Sequence, residues 1–184
     1  MHLTEPRLKP LPESERDDET RELLESLSRG RPLFNIFATL AHHPALLRKW
    51  LVFARHILSG STLPARDREI AILRMGWLSR AEYEWGHHVA IGKDAGLSED
   101  DIRRITEGPD AAGWDRFEAA LVRAVDELNA NAFISDPTWS ALTERYNPQQ
   151  LIDLVFTAGQ YRLVSMALNT LGVQLEEGFQ RFPK

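Results

Sequence analysis

The stretch Leu63–Gly96, LPARDREIAILRMGWLSRAEYEWGHHVAIGKDAG, decides how the rest of the chain is read. Pro64 suits a first helical position, and the apolar residues behind it recur at helical spacing as far as Ser79. At about 100° of rotation per residue, Ala65, Glu69, Ile72, Leu73 and Gly76 share one face, while Asp67 and Arg74 lie roughly opposite. A second helix, expected from about Arg80 to Ala95, places Ala81, Glu84, Trp85, His88, Ile91, Gly92 and Ala95 together. Glu69 therefore stands inside an apolar stripe, and Glu84 and His88, one turn apart, point the same way as the apolar groups of their own helix. Burying such groups costs free energy unless they pair or perform chemistry. A buried Glu and His can simply satisfy one another and set how two helices pack. They can also move a proton, because burial raises a carboxyl pKa and an imidazole titrates near neutrality.

Composition narrows the field. With 184 residues, 43% hydrophobic and 27% charged, the chain is long enough for one domain with a sizeable core. A formal net charge of -5 argues against a nucleic-acid or anionic-membrane surface, both of which need a basic patch, and favours small-molecule or protein partners. There is no cysteine, so disulfides, thiolate metal sites and thiol-based mechanisms are removed together. The opening MHLTEPRLKPLPESERDDE is polar and proline-rich, and no apolar run of signal-peptide or transmembrane length is read, so the expected location is the cytoplasm.

Taken in order, residues 1–12 carry Pro6, Pro10 and Pro12 and read as an extended arm laid across a neighbouring subunit; residues 13–184 read as a single all-α domain. A first helix runs from Glu13 to the stop at Arg29-Gly30-Arg31-Pro32, with Leu23, Leu24 and Leu27 inward. A short helix and a longer one follow, separated at Pro44, and Gly60 ends the second. Ser98 to Asp101 resembles a capping box, Trp114 to about Asn129 is amphipathic, and Asp136-Pro137 and Asn147-Pro148 each combine a cap with proline at the first helical position. The apolar stretch from Leu151 to Val173 needs burial on most of its surface, with Gly159 dividing it in two. Residues 68–73 can be laid weakly on residues 150–155; in that register Leu151 replaces Glu69 and Thr170 replaces His88, so proton transfer would belong to the first copy alone. The fold class is an all-α multi-helix bundle.

The segment from Glu69 to Gly96, above all Tyr83-Glu84-Trp85 followed by His88 and Ala95-Gly96, resembles the carboxymuconolactone decarboxylase family, in the superfamily of the alkylhydroperoxidase D-type enzymes. NIFATLAHHP at 35–44, ISDPTW at 134–139 and GQYRLVSMALN at 159–169 extend the resemblance over most of the chain. The peroxidase branch carries a Glu and then Cys-x-x-Cys-x-x-x-His. Here the Glu falls on Glu69 and the His on His88, while the two cysteines fall on Ala81 and Glu84. Hydroperoxide reduction of the peroxiredoxin type is disfavoured, because neither alanine nor glutamate can replace a thiolate.

What the resemblance implies is an alkylhydroperoxidase D-like fold and a cofactor-free decarboxylase acting on a small carboxylated lactone or ring in aromatic catabolism. Glu69 and His88 would be the acid-base pair, and Glu84 would orient the imidazole. Arg66, Arg74 and Arg162 are candidates for a substrate carboxylate, and Tyr83, Trp85 and Asn35 for the pocket wall. The resemblance also implies a homo-oligomer, a trimer or a hexamer, for which the long apolar stretch supplies an independent motive. A different outcome is a non-catalytic oligomeric binding protein that keeps the fold and pocket. No metal is expected, since no HExxH or paired-His motif accompanies the Glu84/His88 spacing.

Overall fold

The computed structural model describes residues 3–28 and 30–183; the helix stop assigned to Arg29 and the first two residues of the arm lie outside the described residues. Its helices are α1 (Asp18–Ser28), α2 (Asn35–Leu40), α3 (Pro44–Arg55), α4 (Ala65–Leu78), α5 (Glu82–Asp94), α6 (Glu99–Glu107), α7 (Arg116–Asn131), α8 (Asp136–Thr143) and α9 (Pro148–Leu171). A 3-10 turn at Glu13–Glu15 precedes α1, and a π turn at His56–Gly60 follows α3. No strand occurs among the described residues, so the all-α expectation stands.

Helix α4 is the axis around which the others are laid. Ile70, Ala71, Ile72 and Leu73 are consecutive and fully buried, which one amphipathic face cannot achieve; the helix is enclosed by α5, α6, α7 and α9. That enclosure corrects the helical wheel at Arg74. Placed opposite the apolar stripe, it is nevertheless buried, because its guanidinium forks onto Asp126 at 2.6 and 2.9 Å and donates to the carbonyls of Ile105 and Thr106 at the end of α6.

Helix α5 returns antiparallel to α4 after a tight connection in which Arg80 takes φ 51. The two helices approach closely where side chains are absent: a Cβ on Gly92 would stand 2.8 Å from Leu97 and 3.7 Å from the Cβ of Glu69, and one on Gly76 would stand 3.7 Å from the Cβ of Glu84. Small residues at this crossing bring the carboxylate stems of one helix within reach of the other.

Three expectations change. Gly159 does not divide the last helix, which runs unbroken from Pro148 to Leu171 behind an Asn147 capping box. Helix α9 is also, by length and composition, apolar enough to cross a membrane, although 56% of its apolar window is buried within the chain. Burial is one-sided: Leu154, Ala158 and Ser165 are inside, whereas Ile152, Phe156, Leu163 and Met166 stay exposed. The arm, finally, lies on its own chain: the amides of Arg7 and Leu8 donate to the Leu171 carbonyl and that of Leu11 to Ala38. The free Leu171 carbonyl at the end of α9 and the Ala38 carbonyl near the end of α2 thereby find donors.

Candidate active site

Glu69, Glu84 and His88 come together where α4 and α5 cross. His88 Nδ1 lies 2.7 Å from Glu69 Oε2, and its Nε2 lies 3.1 Å from Glu84 Oε1. Glu69 is fully buried; its other oxygen accepts from Arg68 Nε at 3.1 Å. The Glu84 to His88 contact follows from i, i+4 spacing on α5, and the Glu69 contact from the close approach at Gly92. Burial alone would push the His88 pKa down. The hydrogen bonds and charges of the two carboxylates outweigh it and raise the value to about 9, so the ring is an imidazolium at neutral pH that donates from both nitrogens.

This cluster forms one wall of a cavity of about 310 Å³. Its other walls are mainly apolar, from Phe34, Ile36, Trp50, Ile57 and Val164 among others. Glu84 and His88 line it; Glu69 stands behind them. Glu84 Oε2 is buried and has no hydrogen-bond partner. Tyr161, from α9, meets the His88 ring edge-on at 4.9 Å between centroids and also lines the cavity. Burial first, then the charges of Glu84 and Glu69, raises its pKa well above the usual phenol value, so its hydroxyl stays protonated.

The remaining candidates divide. Tyr83 lines the cavity, with its hydroxyl committed to the Ile36 amide at 3.2 Å and to Glu176 at 2.9 Å. Asn35 sits behind that wall: its amide donates to Glu176 at 2.7 Å and its side chain to the Gln174 carbonyl at 2.9 Å. Trp85 is not at the cavity; it is fully buried and packs on Trp77 and Phe182. Arg74 is held by Asp126, Arg162 donates to Ser79 Oγ at 3.0 Å, and Arg66 is bound to Glu118 and Asp101, so none of the three reaches the cavity.

Sequence reasoning missed three contributors. Arg55, at the last turn of α3, lines the cavity and is exposed. Tyr161 was passed over as part of an apolar run, although a tyrosine among buried aliphatics is a signal. The third is the pair His87 and Glu176, 2.7 Å apart, with the His87 ring between those of Tyr83 and Phe179. Among the described residues no group of three or more His, Cys, Asp or Glu side chains is arranged to hold a metal ion.

Comparison with known proteins agrees with this architecture. Residues 44–127 match the Carboxymuconolactone decarboxylase family. An uncharacterized peroxidase-related protein with an alkylhydroperoxidase AhpD core from Ralstonia eutropha JMP134 superposes with a TM-score of 0.79 at 18% identity, covering 92% of each chain. A peroxidase-related protein from Silicibacter sp. TM1040 gives 0.76 at 15% identity over 96% of this chain and 92% of that one. The debrominase Bmp8, in complex with 2,3,4-tribromopyrrole, gives 0.75 at 14% identity over 95% and 94%. No curated protein matches the chain.

Proposed function

We propose that the chain, whose residues 44–127 match the carboxymuconolactone decarboxylase family and whose fold is alkylhydroperoxidase D-like, is a cofactor-free enzyme moving a proton at carbon on a small carboxylated ring or lactone. The observation that carries this reading is Glu84 Oε2, a buried carboxylate oxygen without a partner on the wall of an apolar cavity, beside an imidazolium. A partnerless buried oxygen in a natural protein calls for an explanation, and an incoming donor or acidic C–H supplies one.

On this reading the roles expected of the two glutamates are exchanged. Glu69 lies behind His88, bonded to Arg68 and the imidazole, and would act as the positioning residue; Glu84 and His88 face the cavity. In a decarboxylation the C–C bond electrons left by departing carbon dioxide take a proton from His88, and Glu84 stabilises the charged ring before transfer. In an isomerisation Glu84 removes a proton and His88 returns one. Tyr161, kept neutral, donates a hydrogen bond to the oxygen of an enolate. Without cysteine the chain has no thiolate for peroxide chemistry. That Bmp8 shares this fold and was crystallised with a halogenated pyrrole is in keeping with a small ring as ligand.

The test is a panel of lactone acids and ring acids assayed for carbon dioxide release and for solvent deuterium uptake by NMR. Glu84→Gln and His88→Gln should each lower the rate about 10²- to 10⁴-fold. No turnover by the wild type across the panel would favour the second reading, a binding protein, which draws support from His88 having both ring nitrogens already bonded. Under either reading we place the protein in the cytoplasm and as a homo-oligomer, a trimer or hexamer, joined through the exposed stripe Ile152, Phe156, Leu163 and Met166 on α9.

A further inference from the structure

The cavity carries an excess of one feature that the acid-base cluster does not use. Each other cationic or potentially cationic side chain on its walls has a carboxylate partner: His88 has Glu69 and Glu84, and His87 has Glu176. Arg55 has none among the described residues. It stands exposed, at the end of α3 where the π turn His56–Gly60 begins, and Ile57, Leu58 and Ser59 of that turn continue the same wall. A π turn inserted behind a helix re-aims the residues that flank it and is common at functional sites. Apart from Ser59, Gln160 and the histidines, the rest of the lining is mainly aliphatic and aromatic, with Trp50, Leu51, Ala54 and Ile91 among it.

The geometry points to Arg55 as the anchor for the carboxylate of the substrate, which is an apolar ring acid bearing a single anionic group. A guanidinium at the rim of a cavity pairs with a carboxylate in two parallel hydrogen bonds. The walls beyond it offer an apolar ring full contact and offer a second carboxylate no unpaired cation, so a dianion is selected against. This inference rests on the proton-transfer reading and also sharpens it. A single carboxylate held by Arg55 as a handle is retained in the product, which selects the isomerisation of the two routes above over the decarboxylation; the carbon that reacts is the one placed against Glu84.

Isothermal titration of the full-length chain separates the two readings, because binding needs no turnover. The probes are 3-tert-butylbenzoate, its neutral amide, and 5-tert-butylisophthalate, which adds a second carboxylate to the same ring. The monoacid should bind at least tenfold more tightly than either of the others. Arg55→Gln should weaken the monoacid about ten- to a hundredfold and leave the amide unchanged, and Arg55→Lys should recover part of the loss. Arg55 is exposed and has no side-chain partner among the described residues, so these variants should keep the wild-type melting temperature. Equal binding of the monoacid by Arg55→Gln, a preference for the amide or the diacid, or no binding of the monoacid at all would each overturn the assignment. Intact Arg55-dependent binding with no turnover of any ring acid would instead overturn the proton-transfer reading and leave the anion site standing.

Discussion

His87 and His88 are neighbours on α5, and each lies 2.7 Å from a carboxylate oxygen, but the two pairs are built differently. His88 meets Glu69 across two packed helices, nearly sealed from water, with a second carboxylate on its other nitrogen. His87 meets Glu176 on the segment after α9, where both are partly open and aromatic rings rather than helices hold the imidazole. Glu176 is pushed up by burial, but His87, the Asn35 amide and Tyr83 outweigh this and hold it below the usual carboxylate range. One pair is thus part of the core, and the other ties a chain end to the cavity wall. The contrast teaches that a Glu-His contact takes its energetic weight from what encloses it.

The largest effect that could break this comparison is loss of Glu69. Glu69→Ala strands a buried imidazolium and Arg68, and should cost about 3–5 kcal/mol in urea denaturation. A loss no larger than that of a surface carboxylate would erase the distinction.

Titration should sharpen it further. His88 has its pKa raised in the folded chain to about 9, against an ordinary 6.5, so the native state holds the proton that the unfolded chain releases. Its contribution is complete below pH 6.5, declines between 6.5 and 9, and is gone above 9. Melting temperatures should fall across that window in the wild type, and His88→Gln should flatten the fall. A profile identical in the two proteins would remove the imidazolium from the argument.

The smallest expected change comes from the chain end. Glu176→Gln keeps the shape of the side chain and loses charge-assisted bonds to groups that can turn to water, for about 0.5–1.5 kcal/mol. Hydrogen exchange should report it locally, as faster exchange of the Asn35 amide with protection of α4 and α5 unaltered. Slower exchange at Asn35, or a loss spread over α4, would show the tail to be part of the core.

How far the sequence could be read follows from the range of each interaction. Glu69, Glu84 and His88 were legible because they sit on two consecutive helices, where helical phase alone aligns side chains. Caps were legible for the same local reason, and the Ser98 and Asn147 boxes form as read, although Asp136, read as a cap, is the first residue of α8 behind Ser135, whose side chain makes no capping bond, and His43 caps α3 by accepting from the Leu46 amide. The burial of Arg74 was not legible, since its partner Asp126 is distant in sequence and no wheel shows a helix enclosed on every side. Glu176 was equally out of reach: it is read as a surface residue until the chain end is laid against Asn35 and Tyr83. Arg55 gave no periodic signal, because the wall it completes is made by an irregular turn.

The placement of Glu176 also bears on how the cavity opens. The wall formed by Phe34, Tyr83 and His87 is fastened by a residue beyond helix α9, and Phe179 closes over His87 from the same segment. Fraying of that irregular segment would unfasten the cavity on one side while the Glu69–His88 pair, gripped between α4 and α5, stayed formed. Access to the interior is therefore set by a local equilibrium of one segment and not by the stability of the bundle.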